Sequence, residues 1–251
     1  MIDVSIEERI ATLSLRRPPV NAFDEAELGR FASTLRRLRE REDVGAVVIR
    51  SEMDHFSAGA DVKALVTVLA DGDDGIERTI AFAASMQALW GELAEVPVPT
   101  VAAITGAATG GGLELAMACD LRVAGRSARL GLPEVRLGLL PAAGGTQRLT
   151  RLVGPGVAAR LMLTGDPIDA DTALRMGLVE WVVDDDVLDV RAREIAASMA
   201  HQSRPAMTEI KSCIAQASSQ AGFETEIEAT GRLHRTPEAT RRLREFVGAG
   251  G

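Results

Sequence analysis

The sequence predicts an α/β core followed by a helical C-terminal region. Two observations carry this. Short apolar runs of strand length, Gly45 to Ile49 and Val98 to Ile104, alternate with longer segments of helical periodicity. This strand–strand–helix rhythm fills the first two thirds of the chain, and nearly all that follows is patterned as helix. The expected division is 1–195 for the core and 196–251 for the helical region.

The elements follow in order. Ile2, Val4 and Ile6, then Ile10, Leu13 and Leu15, alternate as two short antiparallel strands turning near Glu7-Glu8. Pro18-Pro19 breaks regular structure. From Asp24 to Arg41, Leu28, Phe31, Leu35 and Leu38 recur every three or four residues, the spacing of an amphipathic helix. After the strand at Gly45 to Ile49, Phe56 to Asp61 forms a turn rich in small residues that opens a helix at Val62. Asp71 to Gly75 reads as an acidic surface loop before a long helix from Ile76 to Leu93. The strand at Val98 to Ile104 leads to Gly110-Gly111-Gly112 and a helix from Leu113 to Cys119. Leu121 to Ala124 is a short strand. Helices are expected at Thr146 to Leu152, Pro155 to Leu163 and Ala170 to Met176, the last capped by Asp169. Val179 to Val183 is a strand, and Ser203-Arg204-Pro205 caps a helix in the C-terminal region.

Composition excludes several functions. The 251 residues are 46% apolar, enough for a large core. Acidic residues number 36 and basic ones 28, a net charge of −8 that argues against a nucleic-acid partner. Two cysteines, Cys119 and Cys213, provide neither a disulfide framework nor a Cys-rich zinc site. The three histidines are scattered, no HExxH occurs, and no metal is expected. The acidic N-terminus lacks the features of a signal peptide. The longest uncharged run, Val96 to Leu113, contains Pro97, Pro99 and several glycines, so no membrane helix is expected. A soluble cytoplasmic protein is the expectation.

Candidate chemistry lies at two junctions. Ala58-Gly59-Ala60-Asp61 and Gly110-Gly111-Gly112 each join a strand end to a helix N-terminus, where free N–H groups and the positive helix pole converge. Two such sites aimed at one oxygen make an oxyanion hole. Each alone is read first as helix–strand packing or a phosphate nest. Two acids accompany them: Glu114, just past Gly112, and Glu134, after Pro133. A glutamate in a first helical turn is favoured by the dipole and needs no further role. However, Glu114 is the lone charge between Val96 and Cys119, and such a carboxylate is expensive to bury without a partner or a task. Asp61 and Asp120 are candidate helix caps.

Together these motifs resemble the crotonase superfamily, the enoyl-CoA hydratase/isomerase family. Phe56-Ser-Ala-Gly-Ala-Asp-Val-Lys63 resembles its first motif, and Ile104 to Asp120 its second. Leu132-Pro-Glu-Val-Arg-Leu-Gly-Leu-Leu-Pro-Ala-Ala-Gly-Gly-Thr-Gln-Arg-Leu149 resembles the third, and Arg17-Pro-Pro-Val-Asn-Ala22 the family's Pro-x-x-Asn-Ala turn. The resemblance covers nearly the whole chain and is weakest after about Gly222.

It implies a spiral of strand–strand–helix repeats with a helical C-terminal trimerisation region. It also implies homotrimers commonly stacked as hexamers, and an acyl-CoA thioester substrate. Coenzyme A would be part of that substrate, with no separate cofactor. The N–H groups of Ala60 and Gly111 would form the oxyanion hole. Ala58, Asp61, Val62, Lys63 and Val20 would belong to the substrate and CoA site, with Lys63 near the CoA phosphates. Glu114 and Glu134 would be the catalytic pair. Both would position the water, Glu114 mainly as its base and Glu134 as the acid toward the α-carbon. Having both acids favours hydration over isomerisation. Ala64 to Glu77 would be the variable lid over the acyl pocket. Ala142 stands where the family often has Gly. The Lys-rich tail that helps the family cover CoA has no counterpart in this sequence, so either Arg241 or Arg242 substitutes or the contact is absent.

Overall fold

The computed structural model describes residues 2–217 and 219–248. The chain divides into two compact units, 1–200 and 201–251. In the first unit, β1 (Ile2–Glu7) and β2 (Ile10–Leu15) form the expected antiparallel hairpin, turning through Glu8 and Arg9, both at positive φ. α1 (Glu25–Arg39) follows, with the Asp24 side chain accepting from the Glu27 N–H. Its apolar stripe of Leu28, Phe31, Leu35 and Leu38 is buried, as its spacing requires.

β3 (Ala46–Ser51), β4 (Thr100–Ile104), β6 (Leu121–Gly125) and β9 (Trp181–Val183) add parallel strands beyond β2, giving the order β1-β2-β3-β4-β6-β9. Both faces of this sheet are covered, which explains why its strands read as continuous apolar runs. Val47 and Ile49 of β3 join the main core with Phe31 and Trp90. Ala46 and Val48 join a second cluster with Leu188, Ala192, Ile195 and Ala196 of α7 (Leu188–Ala200). In the main core Phe23, Phe31 and Trp90 meet edge to face at 5.3–6.4 Å, the preferred aromatic geometry.

A second sheet has no counterpart in the sequence expectation. It is built from β5 (Ala107–Thr109), β7 (Arg129–Gly131) and β8 (Ile168–Asp169), in the order β5-β7-β8. Strands of two or three residues are too short to show a period.

Helices α2 (Val62–Leu69), capped by Asp61, and α3 (Asp73–Ala94) follow the turn at Ala58 to Asp61. Here one expectation is corrected. The acidic segment from Asp71 is not a loop to Gly75, because α3 begins at Asp73 directly after Gly72. Asp73 and Asp74 occupy its first turn, where acids meet the positive helix pole. α4 (Gly111–Ala118) is buried along its entire length. The two helices expected on either side of Gly154 form one run, α5 (Gly145–Thr164), broken in dihedral angle at that glycine. α6 (Ala170–Arg175) is capped by Asp169 as expected. Asp120 caps no helix. Its carboxylate instead accepts from the backbone N–H and the hydroxyl of Thr100 at the start of β4.

The second unit contains α8 (Arg204–Ala215), α9 (Ala221–His234) and α10 (Pro237–Gly248). Ser203 caps α8 by accepting from Ala206 N–H, with Pro205 in the first turn. Arg232 pairs with Glu209, tying α9 to α8.

Candidate active site

Two isolated bridges bring the distant motifs together. Ser57 pairs with Ala108 of β5, its N–H donating to Ala107 O at 3.2 Å and its carbonyl accepting from Thr109 N at 3.0 Å. This lays the strand ending at Ala60 beside the strand ending at Gly110. On the other side Ala60 pairs with Phe23. Phe23 N donates to Gly59 O at 2.7 Å, and Asp61 N donates to Phe23 O at 2.9 Å. In a parallel bridge of this kind the central residue's own N–H points away from its partner. The Ala60 N–H therefore points away from Phe23.

Gly111 is the first residue of α4, where an N–H has no carbonyl one turn behind it. Gly59 makes the approach of the two segments possible. Its φ is +83°, and a Cβ there would fall 2.4 Å from Gly111 N. A Cβ on Gly111 would in turn lie 3.4 Å from Ala60 N. The two amides thus stand side by side at the wall of one cavity of about 370 Å³.

Ala58, Ala60, Val62, Gly111, Glu114 and Glu134 all border this cavity. Asp61, Lys63 and Val20 do not. Asp61 caps α2 by accepting from Lys63 N and Ala64 N, and it pairs with Arg17 at 3.2 Å. Lys63 is exposed in the first turn of α2. Val20 offers its carbonyl to Ala58 N at 2.9 Å. In the second unit Arg241 pairs with Glu245, and Arg242 with Glu238.

The carboxyls reach the cavity by different routes. Glu114 lies in the first turn of α4 and is 2% exposed. Its Oε1 accepts from Gly145 N–H at 2.7 Å. Glu134 follows β7, which runs parallel to β5, and Gly110 N donates to Gly131 O at 3.0 Å. One turn of 3-10 helix, Glu134–Leu137, then sets its carboxyl against Gly110, with Oε1 3.0 Å from where a Cβ of that glycine would sit. Glu134 Oε2 is buried and has no hydrogen-bond partner.

Burial raises both carboxyls. Desolvation pushes Glu114 up to about 7, the repulsion of Glu134 adds to this, and the amides of Gly145 and Ala143 together with Arg148 act against it. Glu134 is raised chiefly by burial. The two carboxyls are linked electrostatically, since the charge on Glu134 adds to the rise at Glu114.

The rest of the cavity is largely apolar, lined by Leu65, Ile80, Phe82, Met86, Leu137 and Leu139 among others, with Thr79 as a polar member. Met86 and Gln87 come from α3, and Gln87 donates to Ala142 O at 3.2 Å. Sequence reasoning missed three supports of the site. Gly145 holds Glu114, Ser57 docks β5, and Asn21 donates to Ser51 Oγ and to the carbonyls of His55 and Phe56. All three lie within the motifs quoted from the sequence, Asn21 in the Pro-x-x-Asn-Ala turn, Ser57 in the first motif and Gly145 in the third, but none was given this part. Among the described residues no cluster of three or more His, Cys, Asp or Glu could hold a metal ion. No helix among them is long and apolar enough to cross a membrane.

A fold of parallel strands thus brings a backbone N–H pair and two raised carboxyls to one largely apolar cavity. Residues 5–249 match the enoyl-CoA hydratase/isomerase family model, and the chain belongs to this family, the crotonase superfamily. It is 39% identical over 216 residues to a probable enoyl-CoA hydratase of Mycobacterium tuberculosis (strain CDC 1551 / Oshkosh), covering 85% of this chain and 80% of that one. Among solved structures it resembles Pseudomonas aeruginosa DspI, with TM-score 0.91, 36% identity, and 99% and 94% of the two chains covered. The enoyl-CoA hydratase of Bacillus anthracis gives TM-score 0.91, 33% identity, and coverage of 99% and 96%.

Proposed function

We propose that this protein is an enoyl-CoA hydratase that adds water across the double bond of a trans-2-enoyl-CoA. The reading rests on one observation above all: Glu114 and Glu134 border a single, largely apolar cavity together with Ala60 and Gly111. The thioester oxygen is received by the N–H groups of Ala60 and Gly111. Glu114 takes a proton from the water as its oxygen bonds to the β-carbon. The double-bond electrons move to the thioester oxygen as an enolate, where each backbone donor contributes about 3–4 kcal/mol. Glu134 then gives its proton to the α-carbon, leaving a 3-hydroxyacyl-CoA. The proton on Glu114 returns the pair to its starting state, so the net change is one water added.

The apolar side chains from α2, α3 and the turn after Glu134 receive the acyl chain. Ala58, Val62 and Lys63 are assigned to coenzyme A, which enters as part of the substrate, with no separate cofactor. A homotrimer, stacked as a hexamer, and a cytoplasmic location complete the reading.

Purified protein with crotonyl-CoA tests it. The conjugated-enone absorbance should fall and a 3-hydroxyacyl-CoA should accumulate. Thioester binding with no loss of absorbance would refute hydration of this substrate and redirect the assignment to a 3-enoyl isomerase.

A further inference from the structure

Glu114 is held by a strap, Ala143 to Gly145, and the strap is itself held by a cation. Arg148 is the fourth residue of α5, and its Nη1 donates to Ala143 O at 2.9 Å. Its backbone N–H bonds Gly144 O at 2.9 Å, so side chain and main chain grip consecutive carbonyls of the strap. Gly144 has φ +101°, and a Cβ there would fall 2.1 Å from Nη1. The guanidinium lies in the space a side chain at 144 would fill. The next residue, Gly145, donates to Glu114 Oε1. Gln87 of α3 donates to the carbonyl of Ala142, the residue just before the strap, at 3.2 Å.

This is a costly place for an arginine. The first turn of a helix is its positive end. The guanidinium is partly buried, desolvation lowers its pKa, and Arg151 adds like charge. The Ala143 carbonyl and the Glu114 carboxyl offset that cost. The charged groups that face Glu114 are Glu134, from the turn after β7, and Arg148, from α5.

We propose that Arg148 is the positioning residue for Glu114: it pins the strap whose Gly145 N–H orients the carboxylate and supplies the cation that faces it. The inference rests on the role given to Glu114 above.

The test uses Arg148→Met and Arg148→Lys in the full chain. In Arg148→Met, kcat for crotonyl-CoA should fall about tenfold or more while KM stays within about twofold, the pattern of a lost transition-state interaction. The carboxyl resonance of Glu114, assigned by its loss in Glu114→Gln, should titrate about 1 pH unit higher. Arg148→Lys keeps the charge and should restore most of that midpoint. If Arg148→Met does not fold, Arg148→Gln, which keeps a donor but no charge, should show the same shift. An unchanged Glu114 midpoint in a folded uncharged variant, or a raised KM with kcat intact, would overturn the proposal. The titration needs no turnover. A wild type inert toward crotonyl-CoA therefore removes the hydratase reading and leaves the Arg148–Glu114 coupling separately decided.

Discussion

Replacing Glu114 with Gln should make the protein less active and more stable at once. A carboxyl held at about 7 instead of its ordinary 4.5 opposes folding once ionised. At 1.36 kcal/mol per pKa unit the full effect is about 3 kcal/mol. The sign follows from proton counts. Between pH 4.5 and 7 the folded chain keeps a proton that the unfolded chain has lost, so stability falls as pH rises through that window. Gln cannot ionise, and its amide oxygen still accepts from Gly145. Weakening that bond returns about 1 kcal/mol. At pH 8 the variant should therefore be about 2–3 kcal/mol more stable, or about 5–10 °C in Tm for a chain of this size. At pH 5 wild type and variant should nearly coincide. Urea and thermal unfolding at both pH values, beside hydration rates, measure this. A variant no more stable than wild type at pH 8, or equally stabilised at pH 5, would refute the view that Glu114 is a charge buried at the fold's expense.

Glu134→Gln should lower hydration by about 10²–10⁴-fold while thioester binding, followed by calorimetry, stays near wild type. Gly59→Ala would drive a Cβ against Gly111 N at a positive φ. Turnover should drop by about 10²–10³-fold through the displaced donor, with circular dichroism reporting an intact fold. Arg122 is 2% exposed and joins Glu180, Leu178 O and Cys119 O. Its replacement by Ala should cost about 3–5 kcal/mol in urea unfolding without altering KM for the residual folded enzyme.

The long elements were legible in the sequence because each carries its own period. The stripe of α1 and the apolar runs of β3 and β4 needed no partner to be read. The three strands of the small sheet were not legible, since their pairing defines them and their two or three residues do not. The start of α3 was misjudged because Asp73 and Asp74 suit a loop and a first helical turn equally.

The candidate site divides in the same way. The lone charge of Glu114 between Val96 and Cys119, and the glycine runs beside it, marked where chemistry could lie. The match of motifs to the family assigned each residue a part. What sequence alone could not supply was convergence. Ser57 on Ala108, Phe23 on Ala60, and Gly110 on Gly131 are contacts between segments far apart in the chain. They bring two amides and two carboxyls to one cavity, and the resulting burial raises Glu114 to about 7. Residue type and local pattern are properties of short stretches and can be read from them. Proximity and desolvation arise only when distant stretches pack, and so the tertiary structure alone decided that these carboxyls meet and that Arg148 stands behind one of them.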